Sequence, residues 1–283
     1  MLEHTGKMLK SAKENKYAVA QFNINNLEWT KYILEEVDKL ESPVILGATE
    51  SAIKYMGGYK TVVNLVKGLI EELKIKVPVA LHLDHGTSLE SCKKALEAGF
   101  KSIMIDASNY PLEENIRITK QVVQIARLYN ATVEAEIGAL GGKNKETIYA
   151  NVADAVKFVK ETNVDLLAPA LGSVHGLYKG TPQINYQIMQ EISEKTNIPL
   201  VLHGASGLDN ETLTKTIECG TCKININTEL QIAWSNKIRK YLEENKEIYD
   251  PRKIISSGEE EIKRVIAEKI EVLRSINVAK IDK

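Results

Sequence analysis

Eight times along this chain a short, almost continuously apolar run is followed by a longer stretch whose apolar residues recur at helical spacing. That alternation restricts the fold more than any other feature. Residues 17–22, 43–48, 77–84, 102–106, 132–138, 165–171, 200–203 and 222–226 read as strands, and 28–40, 58–74, 89–98, 112–129, 153–162, 186–195, 210–219 and 229–245 as the helices between them. Strands this apolar are covered on both faces, and a helix after each one is what a crossover between parallel strands requires. Eight such units predict an α/β fold of the closed (β/α)₈ TIM barrel type; pattern alone also admits a doubly wound open sheet. Residues 259–273 predict one more helix, so a C-terminal helical extension runs from about 246 to 283. Asn197-Ile-Pro199 and Lys76-Val-Pro78 close helices ahead of buried strands, and Ser88 and Asp209 stand where they can cap the helices that follow.

The length, 283 residues, is close to what one barrel uses, and no linker rich in Pro, Ser or Gly divides the chain, so 1–283 is expected to be a single barrel domain. With 37 Lys and Arg against 38 Asp and Glu, the overall field favours neither nucleic acid nor an acidic membrane. Any anion must be held locally. No basic-then-apolar leader opens the sequence and no apolar run approaches the roughly 20 residues that span a bilayer, which predicts a cytoplasmic protein. Cys92, Cys219 and Cys222 are too few for a disulfide framework. The Cys219-x-x-Cys222 spacing straddles a helix end and a strand start with no second pair, and reads as structural rather than as a metal or redox site.

In a (β/α)₈ barrel the loops at the carboxyl ends of the strands build the active site, and the unusual polar residues gather there. The eight strand ends carry, in order, Gln21 and Asn23, Thr49 and Glu50, His82-Leu-Asp84-His85-Gly86, Asp106, Glu134 and Glu136, Ser173-Val-His175-Gly176, His203-Gly204-Ala-Ser206-Gly207, and Asn225, Asn227 and Thr228. Three of only five histidines, His85, His175 and His203, end three different strands. Three imidazoles with one open position are the ligand set of a catalytic zinc, so these three are the candidate metal ligands. His82 shares strand parity with Asp84 and points inward, either to orient a neighbour or to ligate; His4, ahead of the first strand, is given no role. Glu134 and Glu136 both face the interior, where one can orient a ligand histidine, and Asp106 is a further outer carboxylate or alternate metal position alongside Glu136. Asp84 is either an outer carboxylate or a proton-transfer group. The turns after strands seven and eight, with Ser206 and the nearby Lys179, suit a phosphate held on backbone N–H groups.

Taken together, the motifs Leu81-His-Leu-Asp-His-Gly86, Ile103-Met-Ile-Asp-Ala-Ser108, Val133-Glu-Ala-Glu-Ile-Gly138, Leu167-Ala-Pro-Ala-Leu-Gly-Ser-Val-His-Gly176, Leu202-His-Gly-Ala-Ser-Gly207 and Lys223-Ile-Asn-Ile-Asn-Thr-Glu229 resemble class II fructose-bisphosphate aldolase, in that family's order. The likeness runs from Tyr17 to Arg252. It implies that His85, His175 and His203 bind the catalytic zinc and that Asp84 exchanges a proton with the C4 oxygen of the sugar. It also implies that Gly176, Lys179, Gly204 and Ser206 hold the ketose phosphate, with Asn23, Asn225, Asn227 and Thr228 near the rest of the substrate. Thr49 stands where the family has serine and offers the same hydroxyl. The resemblance further implies Zn²⁺, with Na⁺ or K⁺ beside it, and a homodimer or homotetramer. Retro-aldol cleavage leaves an enediolate, whose charge a divalent ion stabilises without a Schiff-base lysine.

Two places depart from the family pattern. After Gly141-Gly142 the family carries a mobile acidic loop whose glutamate handles the proton on the enediolate carbon; here Lys143-Asn-Lys145 follow in a shorter loop, and Glu146 is the nearest acid. After Asp250-Pro-Arg252, Ser256 lies in the region where some relatives place an arginine for a neighbouring subunit's phosphate. The expected activity is reversible cleavage of fructose 1,6-bisphosphate to dihydroxyacetone phosphate and glyceraldehyde 3-phosphate. The alternatives are tagatose 1,6-bisphosphate cleavage, and a catalytically weakened protein that binds zinc and phospho-sugar.

Overall fold

The structure, a computed structural model, describes residues 2–138, 148–174, 176 and 183–280. Eight parallel strands close into a barrel in sequence order: β1 (Val19–Asn23), β2 (Val44–Thr49), β3 (Val79–Gly86), β4 (Ser102–Ile105), β5 (Thr132–Ile137), β6 (Leu166–Pro169), β7 (Leu200–Leu202) and β8 (Thr221–Ile226). The open-sheet alternative ends at one pairing. β8 lies beside β1, with Val19 opposite Lys223 and Gln21 opposite Asn225. Among the described residues the helices are α1 (Thr5–Asn15), α2 (Leu27–Lys39), α3 (Glu50–Tyr55), α4 (Tyr59–Glu72), α5 (Leu89–Ala98), α6 (Leu112–Leu128), α7 (Val152–Thr162), α8 (Tyr186–Thr196), α9 (Asn210–Glu218), α10 (Thr228–Glu244), α11 (Pro251–Ser256) and α12 (Glu259–Val272).

Alternate residues of each strand face opposite ways, so one set packs under the helices and the other fills the barrel. Ala18, Ala20 and Phe22 of the first strand region belong to the large cluster between strands and helices, with Leu46, Leu81, Ile103 and Val133. Val19, Ile45, Ala80, Leu166 and Val201 join a smaller cluster at the amino end of the barrel. There α1 supplies Met8, Leu9 and Ala12, all buried. Thr5, at the start of that helix, places its hydroxyl 2.7 Å from Thr132 Oγ1 and 3.3 Å from Ser102 Oγ, so the pole is closed by apolar side chains and mutually bonded hydroxyls.

The expected caps are present: Ser88 Oγ accepts from Ser91 N–H in a capping box, and Asp209 from Thr212 N–H. His4, given no role from sequence, caps α1 by accepting Gly6 N–H on its Nδ1. Three helices outside the eight-unit pattern, α1, α3 and α11, were not anticipated. α3 and α11 have six residues each, less than two turns, too short to show a period. The third strand also sits two residues further along than the apolar run suggests, carrying it through His85 to Gly86. Among the described residues no helix is long and apolar enough to cross a membrane.

Candidate active site

The carboxyl ends of the strands surround a cavity of about 430 Å³. One wall carries Asn23, Thr49, Asp84, His85 and Asp106; the other carries Gly176, His203, Gly204, Ser206, Asn225, Asn227 and Thr228. These are the strand-end positions expected from sequence. His175, Lys179 and Glu146, also expected there, lie outside the described residues.

Adjacent strand residues normally point to opposite faces, yet Asp84 and His85 both line the cavity. The strand achieves this with an irregularity: the register against β4 shifts between Leu83 and Gly86, and His85 adopts the left-handed conformation at φ 50°. A non-glycine residue held there is uncommon and costs conformational energy, which the surrounding ladder and the Asp106 N–H to Gly86 carbonyl bond offset. On the opposite wall Gly204 has φ 67°, and an added Cβ would meet the Val174 carbonyl oxygen at 2.3 Å, so only glycine allows the turn to follow His203 this closely.

Each imidazole is anchored through one nitrogen by a carboxylate. His85 Nδ1 lies 2.8 Å from Asp106 Oδ2, and His203 Nε2 lies 2.8 Å from Glu134 Oε1. The other two nitrogens, His85 Nε2 and His203 Nδ1, face each other at 3.0 Å. With each outer nitrogen donating its hydrogen to a carboxylate, both inner nitrogens aim lone pairs at one point, an arrangement that favours a cation between them. Ligand atoms of Asp84, His85 and His203 lie within 4.8 Å of one another, as do those of His85, Asp106 and Glu136. Two imidazoles ringed by carboxylates, with their outer nitrogens already committed, form a donor set that fits a divalent ion such as zinc.

The electrostatics agree. Burial disfavours a charged His85, but the hydrogen bond to Asp106 and the nearby Asp84 and Glu136 carboxylates outweigh it and raise its pKa to about 9. Burial, with the neighbouring His85, lowers that of His203 despite the Glu134 hydrogen bond. The pair therefore carries a single positive charge, on His85 and not on His203. For Asp84, burial favours the neutral acid, but His85, His203 and Lys223 prevail and hold it well below the usual carboxylate range. Asp84 also receives Nδ2–H of Asn23 at 2.8 Å and of Asn225 at 3.4 Å. It is thus an ionised carboxylate at the edge of the cavity, oriented by two amides.

His82 points inward as expected but lies below the two facing imidazoles. Its Nδ1 is 2.7 Å from Ser102 Oγ, its Nε2 is 3.7 Å from Glu134 Oε2, and complete burial with Lys223 nearby pushes its pKa down to about 3. It is a neutral spacer inside the barrel. Lys223 carried no role in the sequence reading, although its strand parity with Asn225 is a signal for an inward side chain. Its ammonium is fully buried, 2.8 Å from Glu134 Oε2 and 2.8 Å from Asn225 Oδ1.

At the other end of the cavity Ser206 Oγ accepts Asn227 N–H, and Gly207 N–H is held by Glu229, whose carboxylate also pairs with Lys269 of α12. The C-terminal helix thereby props the turn after β7. Asn227 precedes the 17-residue α10 without capping it by its side chain, and its Oδ1 has no hydrogen-bond partner among the described residues. The uncapped start of a long helix opens toward the cavity at Thr228. Thr49 instead caps α3, accepting Ala52 N–H. Arg252 is exposed and pairs with Asp250 beside it, and Ser256 Oγ donates to the carbonyl of Lys253.

Residues 3–278 match the family model described as fructose-bisphosphate aldolase class-II. The chain belongs to the class II fructose-bisphosphate aldolase family. It is 53% identical over 268 residues to a fructose-bisphosphate aldolase of Geobacillus stearothermophilus, covering 93% of each chain. It is 49% identical to a probable fructose-bisphosphate aldolase of Bacillus subtilis, over 96% of this chain and 97% of that one. Among solved structures it resembles the YdjI aldolase from Escherichia coli K12, with a TM-score of 0.87 at 31% identity over 99% of this chain and 100% of that one. Class II aldolases are metal-dependent lyases, and the facing imidazoles are where this member's fold puts suitable ligands.

Proposed function

We propose that the chain cleaves D-fructose 1,6-bisphosphate reversibly to dihydroxyacetone phosphate and glyceraldehyde 3-phosphate, using Zn²⁺ held by His85, His203 and His175. The observation that carries this reading is the 3.0 Å approach of His85 Nε2 to His203 Nδ1, each ring fixed from behind by a carboxylate, with Asp84 alongside. When bound, the metal supplies a positive centre that offsets charge developing on substrate oxygen. Asp84, ionised and oriented by Asn23 and Asn225, accepts the C4 hydroxyl proton as the C3–C4 bond breaks and returns it in the reverse direction. Glu146 handles the second proton, on the carbon left behind. Asp106 and Glu136 orient the metal ligands from outside or offer an alternate position for the ion.

The substrate phosphate sits where the turn after β7 meets the start of α10. Gly204 and Ser206 present the turn, Asn227 and Thr228 the uncapped helix end, and Gly176 lines the same cavity; Lys179, outside the described residues, is assigned to the phosphate by the family likeness alone. A helix N-terminus with unsatisfied N–H groups favours an anion, and the two sides of the site thus take opposite charges. The hydroxyl of Thr49 contacts the substrate's polar groups. The family likeness supports the rest of the proposal: Na⁺ or K⁺ beside the zinc, a homodimer or homotetramer in the cytoplasm, and 1–283 acting as one domain with its extension from about 246.

A coupled triose-phosphate assay tests the reading. Activity should vanish on chelation, return with Zn²⁺, and survive borohydride in the presence of substrate. Activity that persists without metal, or inactivation by borohydride trapping, would contradict it. Relative kcat/KM on fructose and tagatose bisphosphates separates the two sugars, which differ in one hydroxyl.

A further inference from the structure

Beneath the cavity floor a single buried cation touches both halves of the site. Lys223 Nζ is 2.8 Å from Glu134 Oε2 and 2.8 Å from Asn225 Oδ1, and both lysine and glutamate are fully buried. The other oxygen of Glu134 reaches His203 Nε2 at 2.8 Å, and the other end of the Asn225 amide reaches Asp84 Oδ1 at 3.4 Å. An ammonium has three donors and no acceptor, so whatever it touches must accept. On one arm it anchors the Glu134 carboxylate through an ion pair at Oε2, so that Oε1 stays directed at His203 Nε2, which carries the hydrogen and leaves Nδ1 facing the metal position. On the other arm it accepts no alternative but the carbonyl oxygen of Asn225, which turns the amide so that its NH₂ group faces Asp84.

We propose that Lys223 is a positioning residue that anchors both arms at once, by an ion pair to Glu134 and a hydrogen bond to Asn225, fixing the tautomer of His203 for metal binding and the amide orientation of Asn225 toward Asp84. The role rests on the aldolase reading for its consequence in catalysis, but not for its geometry. Lys223 touches neither metal nor substrate. Without it the Glu134 carboxylate loses its ion-pair anchor and the Asn225 oxygen its donor, and neither the imidazole nor the amide has one required orientation. Buried polar groups satisfied in only one arrangement are a means by which a site is held in a single state.

Two variants test this: Lys223→Met, and Lys223→Met combined with Glu134→Gln, which removes both buried charges together and so avoids stranding an unpaired carboxylate. In metal-free protein, long-range ¹H–¹⁵N correlation spectra report the tautomer of each of the five histidines. The unaltered chain should show His203 protonated on Nε2, and the variants a mixture of tautomers. Zinc affinity, by competition with a chromophoric chelator, should fall about 10- to 100-fold, as loss of an outer partner of a metal ligand typically causes. Should Lys223→Met not fold, the double variant decides when read against Glu134→Gln alone, in which Lys223 should hold the amide oxygen and turn its NH₂ to His203, moving the ring hydrogen to Nδ1. A double variant that keeps the His203 tautomer and binds zinc as tightly as the unaltered chain overturns the proposal. If the unaltered chain binds no zinc, the aldolase reading fails, and the tautomers of the metal-free protein still judge Lys223.

Discussion

The two poles of the barrel are both lined with buried polar groups, yet they are built oppositely. At the amino pole, Thr5, Ser102 and Thr132 are neutral hydroxyls bonded to one another, sealed by Met8, Leu9 and Ala12 of α1. At the carboxyl pole, Asp84, Asp106, Glu134, Glu136, two facing imidazoles and Lys223 hold charge around an open cavity. Hydroxyls can donate and accept, so they satisfy one another and, through Ser102, the neutral His82 at 2.7 Å, with no ion required. Carboxylates and lone-pair nitrogens cannot, and they converge on a cation. Polarity alone therefore does not mark the site; polarity that internal partners leave directed at one point does.

The contrast is sharpest at Asp84. Asp84→Asn should lower kcat by about 10²- to 10⁴-fold, the usual contribution of a positioned acid–base group, with zinc affinity and thermal stability nearly unchanged. A variant with near-normal kcat would remove the proton-transfer role. At the amino pole the effects should be reversed. Leu9→Ala, at a fully buried position, should cost about 2–5 kcal/mol of stability in denaturant unfolding while leaving zinc affinity as it was. Zinc binding that weakens in step would show that the poles are coupled rather than independent. Thr5→Val, which takes one hydroxyl out of the sealed cluster, should cost about 1 kcal/mol, again without effect on metal.

The smallest effect concerns thiols. Burial raises the pKa of Cys92 to about 12 and, outweighing the nearby Lys13, that of Cys222 to about 11. Since the thiolate is the reacting form, neither should be alkylated in native protein near pH 8, while half-exposed Cys219 reacts slowly. Rapid labelling of Cys222, which packs in the α1 cluster, would show that the amino pole opens readily.

The barrel was legible because eight apolar runs and eight amphipathic stretches each express the period of their own element, and strand-end polarity followed from the same parity. His85 and His203 were legible because each stands at the carboxyl end of its own strand. The conformation that makes His85 usable was not: a register shift at Leu83 and Gly86 leaves no mark on hydrophobic pattern, and a strict period would have turned His85 away from the cavity. Lys223 escaped because a lysine amid apolar residues reads as a strand margin, and only the distances to Glu134 and Asn225 reveal a buried counter-charge. The helix α1 escaped because its five buried residues are spread thinly among lysines.

Anomalous diffraction at the zinc edge, from crystals of the zinc-loaded chain, tests most directly whether the two imidazoles share a metal. A single strong peak flanked by His85 Nε2 and His203 Nδ1, with a coordination position left for substrate oxygen, is the predicted result. Zinc bound elsewhere, or a peak in contact with only one of these rings, would contradict it.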